Sequence, residues 1–379
     1  MLATTGWTAL HRPADDGSPL AVALTAWARG GIDGKRLPAA DSPPEVIGRF
    51  FSHLDPGART RLVQRYPLVV GNLDGAPTEL RYRANRRAMA QSHSVETHRA
   101  GDYRLAPVDR ENALRRAHRL RSLLTGERRI LAFDPTGSGL VAEVFGDLDT
   151  ADRVSVIVPG ADTDLLTFER TARRYTAPVG MAESLLEAEK AAAPGLRTAV
   201  IAWAGYTTPD GVGMDAATGR LAVNGARRLG ALIGALPGHG PVALFCHSYG
   251  SVVCGVAARR LPPRVTDLSV AGSPGMRAGS AAALRTTARV WAVRDSGDWI
   301  ADVPYLEFGG LGHGADPVDP DFGSRVLAAD GARGHTGYFT PGTLSLDNFA
   351  KIGTGSFGSV VCREGGSDCR RGISGTEAH

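Results

Sequence analysis

The stretch Val242-Ala-Leu-Phe-Cys-His-Ser-Tyr-Gly-Ser-Val-Val-Cys254 decides the reading of this chain. Four apolar residues run into Cys246-His-Ser248-Tyr-Gly250, and a helix-compatible run follows. A strand, a tight turn bearing a serine and then a helix is the context of a nucleophile elbow, in which strain lifts the hydroxyl clear of a sheet edge. Residues two before and two after the serine must be small, or they collide across the turn. Gly250 meets this demand, and Cys246 stands where glycine is usual. The N-terminus of the following helix offers free N–H groups and a partial positive charge to a developing oxyanion. Two other serines have glycine two residues later. Ser273, in Ala271-Gly-Ser-Pro-Gly275, follows an apolar run, but Pro274 has no N–H to offer an oxyanion. Ser356 follows no convincing strand.

Outward from Ser248, from about Arg129 onward, short apolar runs alternate with helical stretches. Ile130–Phe133, Leu140–Phe145, Val154–Val158, Thr198–Trp203, Val242–Phe245, Leu268–Ala271 and Val290–Val293 are candidate strands. Leu165–Tyr175, Met181–Ala193, Arg220–Leu236, Ser251–Leu261 and Gly279–Thr287 are the helices expected between them. Continuous apolar strands are those buried on both faces of a parallel sheet. The pattern predicts an α/β-hydrolase fold: a mostly parallel, doubly wound sheet over residues 126–365. Residues 1–125 carry helical spacing in Val46–Leu54, Gly57–Arg65, Thr78–Gln91 and Pro107–Leu124, and read as a helical N-terminal extension. Residues 366–379, polar and glycine-rich, read as a disordered tail. The Gly205–Gly219 segment reads equally as a plain loop or as part of a cap over the site.

In this fold the acid and base follow the nucleophile in the order Ser, Asp or Glu, His. The run Arg289-Val-Trp-Ala-Val293 opens onto Arg294-Asp-Ser-Gly-Asp298-Trp-Ile300. A carboxylate on a turn after a late strand can accept the imidazole Nδ1–H. Asp298 is the expected acid, with Asp295 the main alternative and Asp302 a further rival. His335, in the glycine-flanked loop Gly334-His-Thr-Gly337, is the expected base. His313 is the alternative base or a pocket residue, and His379 is set aside as the last residue of the chain. For the oxyanion hole, one N–H belongs to Tyr249. The second belongs to Ala161, beside Gly160, after the apolar strand that ends in Val158-Pro159.

Chain-wide quantities exclude some classes. The 379 residues, 43% hydrophobic and 22% charged, suit a core domain with an extension. A formal net charge of +4, spread along the chain, points to no nucleic-acid partner. No window of 18 apolar residues occurs, so no transmembrane segment is expected. Asp15-Asp16 before the short apolar run Leu20–Ala28 argues against a secretory signal, which makes cytoplasm the default compartment. Cys246, Cys254, Cys362 and Cys369 then read as free thiols, with a Cys362–Cys369 disulfide open in an oxidising compartment. The chemistry calls for no cofactor and no metal, and the Asp316/Asp319/Asp321 cluster reads as a solvated loop.

Several longer stretches carry a resemblance. Tyr66-Pro-Leu-Val-Val-Gly-Asn-Leu-Asp-Gly-Ala-Pro77, with Arg81 and Ala84-Asn85-Arg86, looks like an N-terminal signature. Val158-Pro-Gly160, Ala202-Trp-Ala-Gly-Tyr206 with Pro209, His247-Ser248-Tyr-Gly250, His313-Gly314 with Asp316-Pro317, and Gly334-His335-Thr-Gly-Tyr338 look like core signatures. Together they resemble a family of largely uncharacterised actinobacterial α/β hydrolases, classed as a domain of unknown function. The resemblance implies the fold and a Ser-His-Asp site, and supplies no substrate. The expected activity is that of a lipase-like serine esterase, cleaving a small-molecule ester or thioester through an acyl-enzyme. The alternatives are an acyltransferase, thioesterase or peptidase using the same triad, and a non-catalytic binding module on a hydrolase scaffold.

Overall fold

The computed structural model describes residues 17–211 and 213–373. Eight strands form the main sheet: β1 (Arg129–Asp134), β2 (Leu140–Phe145), β3 (Arg153–Val158), β4 (Thr198–Ala204), β5 (Val242–His247), β6 (Val265–Ala271), β7 (Arg289–Val293) and β8 (Arg325–Val326). Their order is β1-β2-β4-β3-β5-β6-β7-β8, and the pairs from β4 through β8 are parallel. The fold is a mostly parallel α/β sheet, as expected. All seven expected strands are present; β8, two residues long, has too little sequence to signal itself.

The chain divides into two compact units, the first holding residues up to Glu143 with the short segments Asp164–Leu166 and Ala231–Pro237. In that unit, helices α1 (Pro19–Ala28), α2 (Pro44–Ser52), α3 (Pro56–Arg65), α4 (Thr78–Gly101) and α5 (Pro107–Leu124) precede β1. Proline opens four of them, where its fixed φ suits the first turn and its missing N–H costs nothing. Trp27, Ile47, Phe51, Leu62, Val69 and Val70 bury a shared core. The change from helix to strand falls between Leu124 and Arg129, around the expected 125/126 boundary, whereas the compact units divide after Glu143.

The N-terminal signature has a structural account. The buried Asn72 side chain donates to the Phe133 carbonyl at 2.7 Å and accepts from the Phe133 N–H at 3.0 Å. The Asn85 amide donates to the carbonyls of Gly71 and Ile130, both at 2.9 Å. A Cβ on Gly71 would lie 2.0 Å from Asn85 Oδ1, so no larger residue fits there. The motif thus satisfies buried backbone groups of β1.

In the second unit, β3, β5 and β6 are almost wholly buried. Helices α6 (Pro178–Ala192), α7 (Arg220–Ala235, whose residues from Ala231 on belong to the first unit), α8 (Gly250–Ala257) and α9 (Leu344–Thr354) lie along the strand sequence. Pairing aligns Val158 with Cys246, His247 with Ala271, and Ala271 with Val293. The C-terminal ends of β3, β5, β6 and β7 are therefore level, and their loops open along one edge, where open α/β sheets bind ligands.

Two expected helices do not form. Leu165–Tyr175 is irregular up to a short 3₁₀ turn at Arg174–Thr176, because Asp164 captures the Leu166 N–H, Thr167 bonds the Asp162 carbonyl, and Arg173 sits at φ +51°. Its Leu165 and Phe168 are buried and imitate helical spacing. Gly279–Thr287 keeps only the 3₁₀ turn Ala282–Leu284, ended by Arg285 at φ +50°. Of the segment 366–379, the described part includes the turn Asp368–Arg370 and a buried Cys369; residues 374–379, with His379, lie outside the described residues. Among the described residues no helix is long and apolar enough to cross a membrane.

The free-thiol expectation is overturned. Cys246 pairs with Cys254, and Cys362 with Cys369. Cα separations of 6.5 Å and 5.6 Å lie within bridging range. The first pair forms because α8 turns back along β5 and brings its second turn beside the strand end.

Candidate active site

Ser248 is the first residue after β5. Its N–H still donates to the Ala271 carbonyl at 2.9 Å, continuing the parallel ladder, while its own φ is +53°. This left-handed conformation is costly for a residue with a Cβ and recurs where strain serves a site. It aims Oγ out of the sheet edge. Close approach of backbone makes the turn possible: a Cβ on Gly250 would lie 2.2 Å from the Val158 carbonyl oxygen, and one on Gly160 would lie 2.6 Å from Ser248 Cβ. Both positions require glycine. The Gly160–Ala161 segment thus faces Ser248 from the end of β3, with Tyr249 and the α8 N-terminus following the serine.

Ser248, His335 and Asp298 come together. His335 Nε2 lies 2.8 Å from Ser248 Oγ, and His335 Nδ1 lies 2.8 Å from Asp298 Oδ1. Asp298 is buried and also accepts from the Ile300 N–H at 2.9 Å and from the Tyr338 hydroxyl. Burial pushes its pKa up, but the hydrogen bonds from His335, Tyr338 and Ile300 prevail and hold it below the ordinary carboxylate value. Burial, joined by the hydrogen bond to Asp298, pushes the Tyr338 hydroxyl well upward, so it remains a donor.

The alternative residues occupy different places. Asp295 is engaged elsewhere: its Oδ2 accepts the N–H groups of Gly334 at 2.8 Å and Gly297 at 3.1 Å, tying the turn after β7 to the loop that carries His335. Asp302 closes the 3₁₀ turn after Asp298. His313 donates through Nε2 to the Ala216 carbonyl at 2.6 Å, with its ring edge-on to Tyr249 at 5.7 Å. Tyr249 in turn donates its hydroxyl to the Thr218 carbonyl at 2.7 Å. The Ala216 and Thr218 carbonyls of the Gly205–Gly219 segment thus reach His313 and the residue next to the serine.

Three supporting residues escaped the sequence reading. His247, buried beside the serine, donates Nε2–H to the His335 carbonyl at 2.6 Å. Burial, aided by the neighbouring His335, pulls its pKa down to about 4, so it stays neutral and keeps that proton. Tyr206 donates its buried hydroxyl to the Pro159 carbonyl at 2.6 Å and so holds the segment that leads into Gly160. Trp299 packs on the His335 ring with centroids 4.6 Å apart. The motifs containing His247 and Tyr206 were visible as signatures; their hydrogen-bond targets, 88 and 47 residues away in sequence, were not.

A family model described as alpha/beta hydrolase matches residues 134–308, a span holding Ser248 and Asp298. The chain has the α/β-hydrolase fold. Two uncharacterized proteins from strains of Mycobacterium tuberculosis are each 28% identical over 385 residues, covering 86% of this chain and 58% of their own length. The expected kinship with actinobacterial α/β hydrolases of unknown function is therefore borne out. The chain spans little more than half the length of these relatives. Among solved structures, a 2,6-dihydroxy-pseudo-oxynicotine hydrolase aligns over 88% of this chain and 93% of its own, at 12% identity and TM-score 0.34. A lipase/esterase from Lactobacillus plantarum aligns over 45% and 78%, at 15% identity and TM-score 0.26.

Proposed function

We propose that this hydrolase is a serine esterase acting on a small carboxylic ester or thioester through an acyl-enzyme. The observation that carries the proposal is the pair of 2.8 Å contacts that join Ser248 to His335 and His335 to Asp298. In acylation His335 takes the Ser248 proton as Oγ attacks the carbonyl carbon, and Asp298 stabilises the imidazolium that results. The Tyr249 and Ala161 N–H groups receive the negative charge on the carbonyl oxygen, with Gly160 allowing their approach. His335 then protonates the departing alcohol or thiol. In deacylation a water molecule, deprotonated by His335, attacks the acyl carbon and releases the acid.

The compartment reading also shifts. Two disulfides in one chain favour an oxidising compartment over the cytoplasm, where thiols are kept reduced. Thiol titration of denatured protein from the native source, without reductant, checks this; free thiols at all four positions would restore the cytoplasmic reading.

The enzymatic reading is tested by fluorophosphonate labelling with mass mapping, alongside hydrolysis of p-nitrophenyl esters of graded acyl length. Labelling at Ser248, absent from Ser248→Ala, is the expected result. An unlabelled Ser248 in folded protein would leave a binding module on a hydrolase scaffold.

A further inference from the structure

Trp299 is a large apolar side chain left 46% exposed between two buried neighbours, Asp298 and Ile300. Isolated exposed aromatics are common and mean little alone. This one differs in its position. Its ring lies 4.6 Å from the His335 ring, tilted by 44°. Other groups packed on that imidazole are buried or crowded. Nδ1 is engaged by Asp298, the buried His247 ring lies 5.1 Å away, and Gly272 approaches so closely that a Cβ there would lie 3.1 Å from Nδ1. Trp299 is thus the neighbour of His335 that combines ring contact with free surface.

The chemistry assigns a direction to that surface. As Ser248 Oγ bonds to the carbonyl carbon, the bond from that carbon to the alcohol oxygen breaks. The serine proton, held on His335 Nε2, passes to the leaving oxygen. That oxygen must come within hydrogen-bond reach of Nε2, roughly 3 Å. Whatever substituent it bears is then carried past the His335 ring, where Trp299 offers an exposed aromatic face. The acyl chain leaves the same carbon in another direction, and the carbonyl oxygen faces Gly160 and Tyr249.

We infer that Trp299 is the platform for the leaving alcohol and that the preferred substrates are esters of planar apolar alcohols, aryl or arylalkyl. The assignment rests on the serine-esterase reading and adds the substrate class to it. An indole face receives a flat ring by offset or edge contact and holds a small alkyl group less well.

The test compares benzyl and ethyl esters of the same acid, as acetates, butyrates and octanoates. Within each pair the acyl-enzyme is common, so deacylation drops out of the ratio of kcat/KM values. Wild type should prefer the benzyl ester. Trp299→Ala should lower the benzyl-to-ethyl ratio by about 10- to 100-fold, the range that one lost apolar contact gives in substrate discrimination. Trp299→Phe should keep most of the preference. If Trp299→Ala lowers both rates equally, Trp299 only shields the His335–Asp298 pair and the assignment falls. It falls also if the wild-type ratio is near one, or if wild type turns over none of these esters while Ser248 still labels. Loss of Ser248 labelling in wild type would instead overturn the esterase reading itself.

Discussion

Two adjacent strands of this chain end in look-alike turns, one at Ser248 after β5 and one at Ser273 after β6. Aligned by motif, serine sits on serine. Aligned by backbone, it does not. His247 pairs with Ala271, and Ser248 donates to Ala271 just as Gly272 donates to Val293. The structural counterpart of Ser248 is therefore Gly272, and the two share the left-handed conformation, at φ +53° and +54°. In the first turn the strained residue carries a side chain, which projects to His335. In the second a Cβ would lie 2.7 Å from Asp298 Oδ2, so the position must stay bare to admit Asp298 and His335. Ser273, one residue later, is buried and turned back on its own loop, accepting from the Gly275 N–H at 3.1 Å. One turn presents a group and its neighbour makes room for the groups that act on it.

The largest break in this comparison is Ser248→Ala against Ser273→Ala. On the esterase reading the first should lower kcat by a factor on the order of 10⁴ or more. The second should leave kcat within about threefold and cost roughly 1 kcal/mol in a urea melt, the worth of a local hydrogen bond. Comparable losses in both would dissolve the distinction. Next come the groups that Gly272 admits. Asp298→Asn should cost about 10³- to 10⁴-fold in kcat, since the imidazole loses its orienting carboxylate. Gly272→Ala should cost about 100-fold, because a displacement near 1 Å at the reacting groups is worth that much. Asp295→Asn should cost only about 10-fold, through the loosened Gly334 loop, by the same positional argument. Steady-state kinetics with one activated ester ranks all three, and Asp295→Asn below Asp298→Asn would reverse the choice of acid.

The strand–turn–helix at Ser248, the seven longer strands and the chain order in which Asp298 and His335 follow Ser248 were legible because each rests on local pattern or on chain order. The αL register was not, because pairing of His247 with Ala271 is a property of the sheet. That is why Ser273 had to be set aside through Pro274 rather than through backbone alignment. The Cys246–Cys254 disulfide was missed for a related reason. Cys246 read as a small residue tolerated beside the elbow, and only the packing of α8 on β5 shows that Cys254 reaches it. Leu165–Tyr175 misled in the opposite sense, since buried Leu165 and Phe168 have helical spacing without a helix.

That covalent tie sharpens the contrast, since the β6 turn has no cysteine. Replacing either pair by alanines, Cys246/Cys254 or Cys362/Cys369, opens a loop of similar length, with separations of 8 and 7 residues. Each double variant should lose about 2–3 kcal/mol in chemical denaturation. Only the first should also lower kcat, because its loop contains Ser248. Equal activity in the two variants would make Cys246–Cys254 a stabilising bond and nothing more.

The smallest effect lies one residue before each left-handed position, where β5 has His247 and β6 has Ala271. His247 keeps its proton on Nε2 for the His335 carbonyl and, buried, has its pKa pulled from 6.5 down to about 4. The unfolded chain takes up a proton there as pH falls below about 6.5, and the folded chain does not until about 4. This contribution to stability is present in full above pH 6.5 and drains away between 6.5 and 4. It amounts to about 1 kcal/mol between pH 7 and 5.5. His247→Gln retains an amide donor and cannot titrate, so its denaturation midpoint should fall less over that interval than that of wild type. Identical pH slopes would mean that His247 is protonated in the folded protein, and a charged imidazole beside His335 would then have to be built into any account of the base.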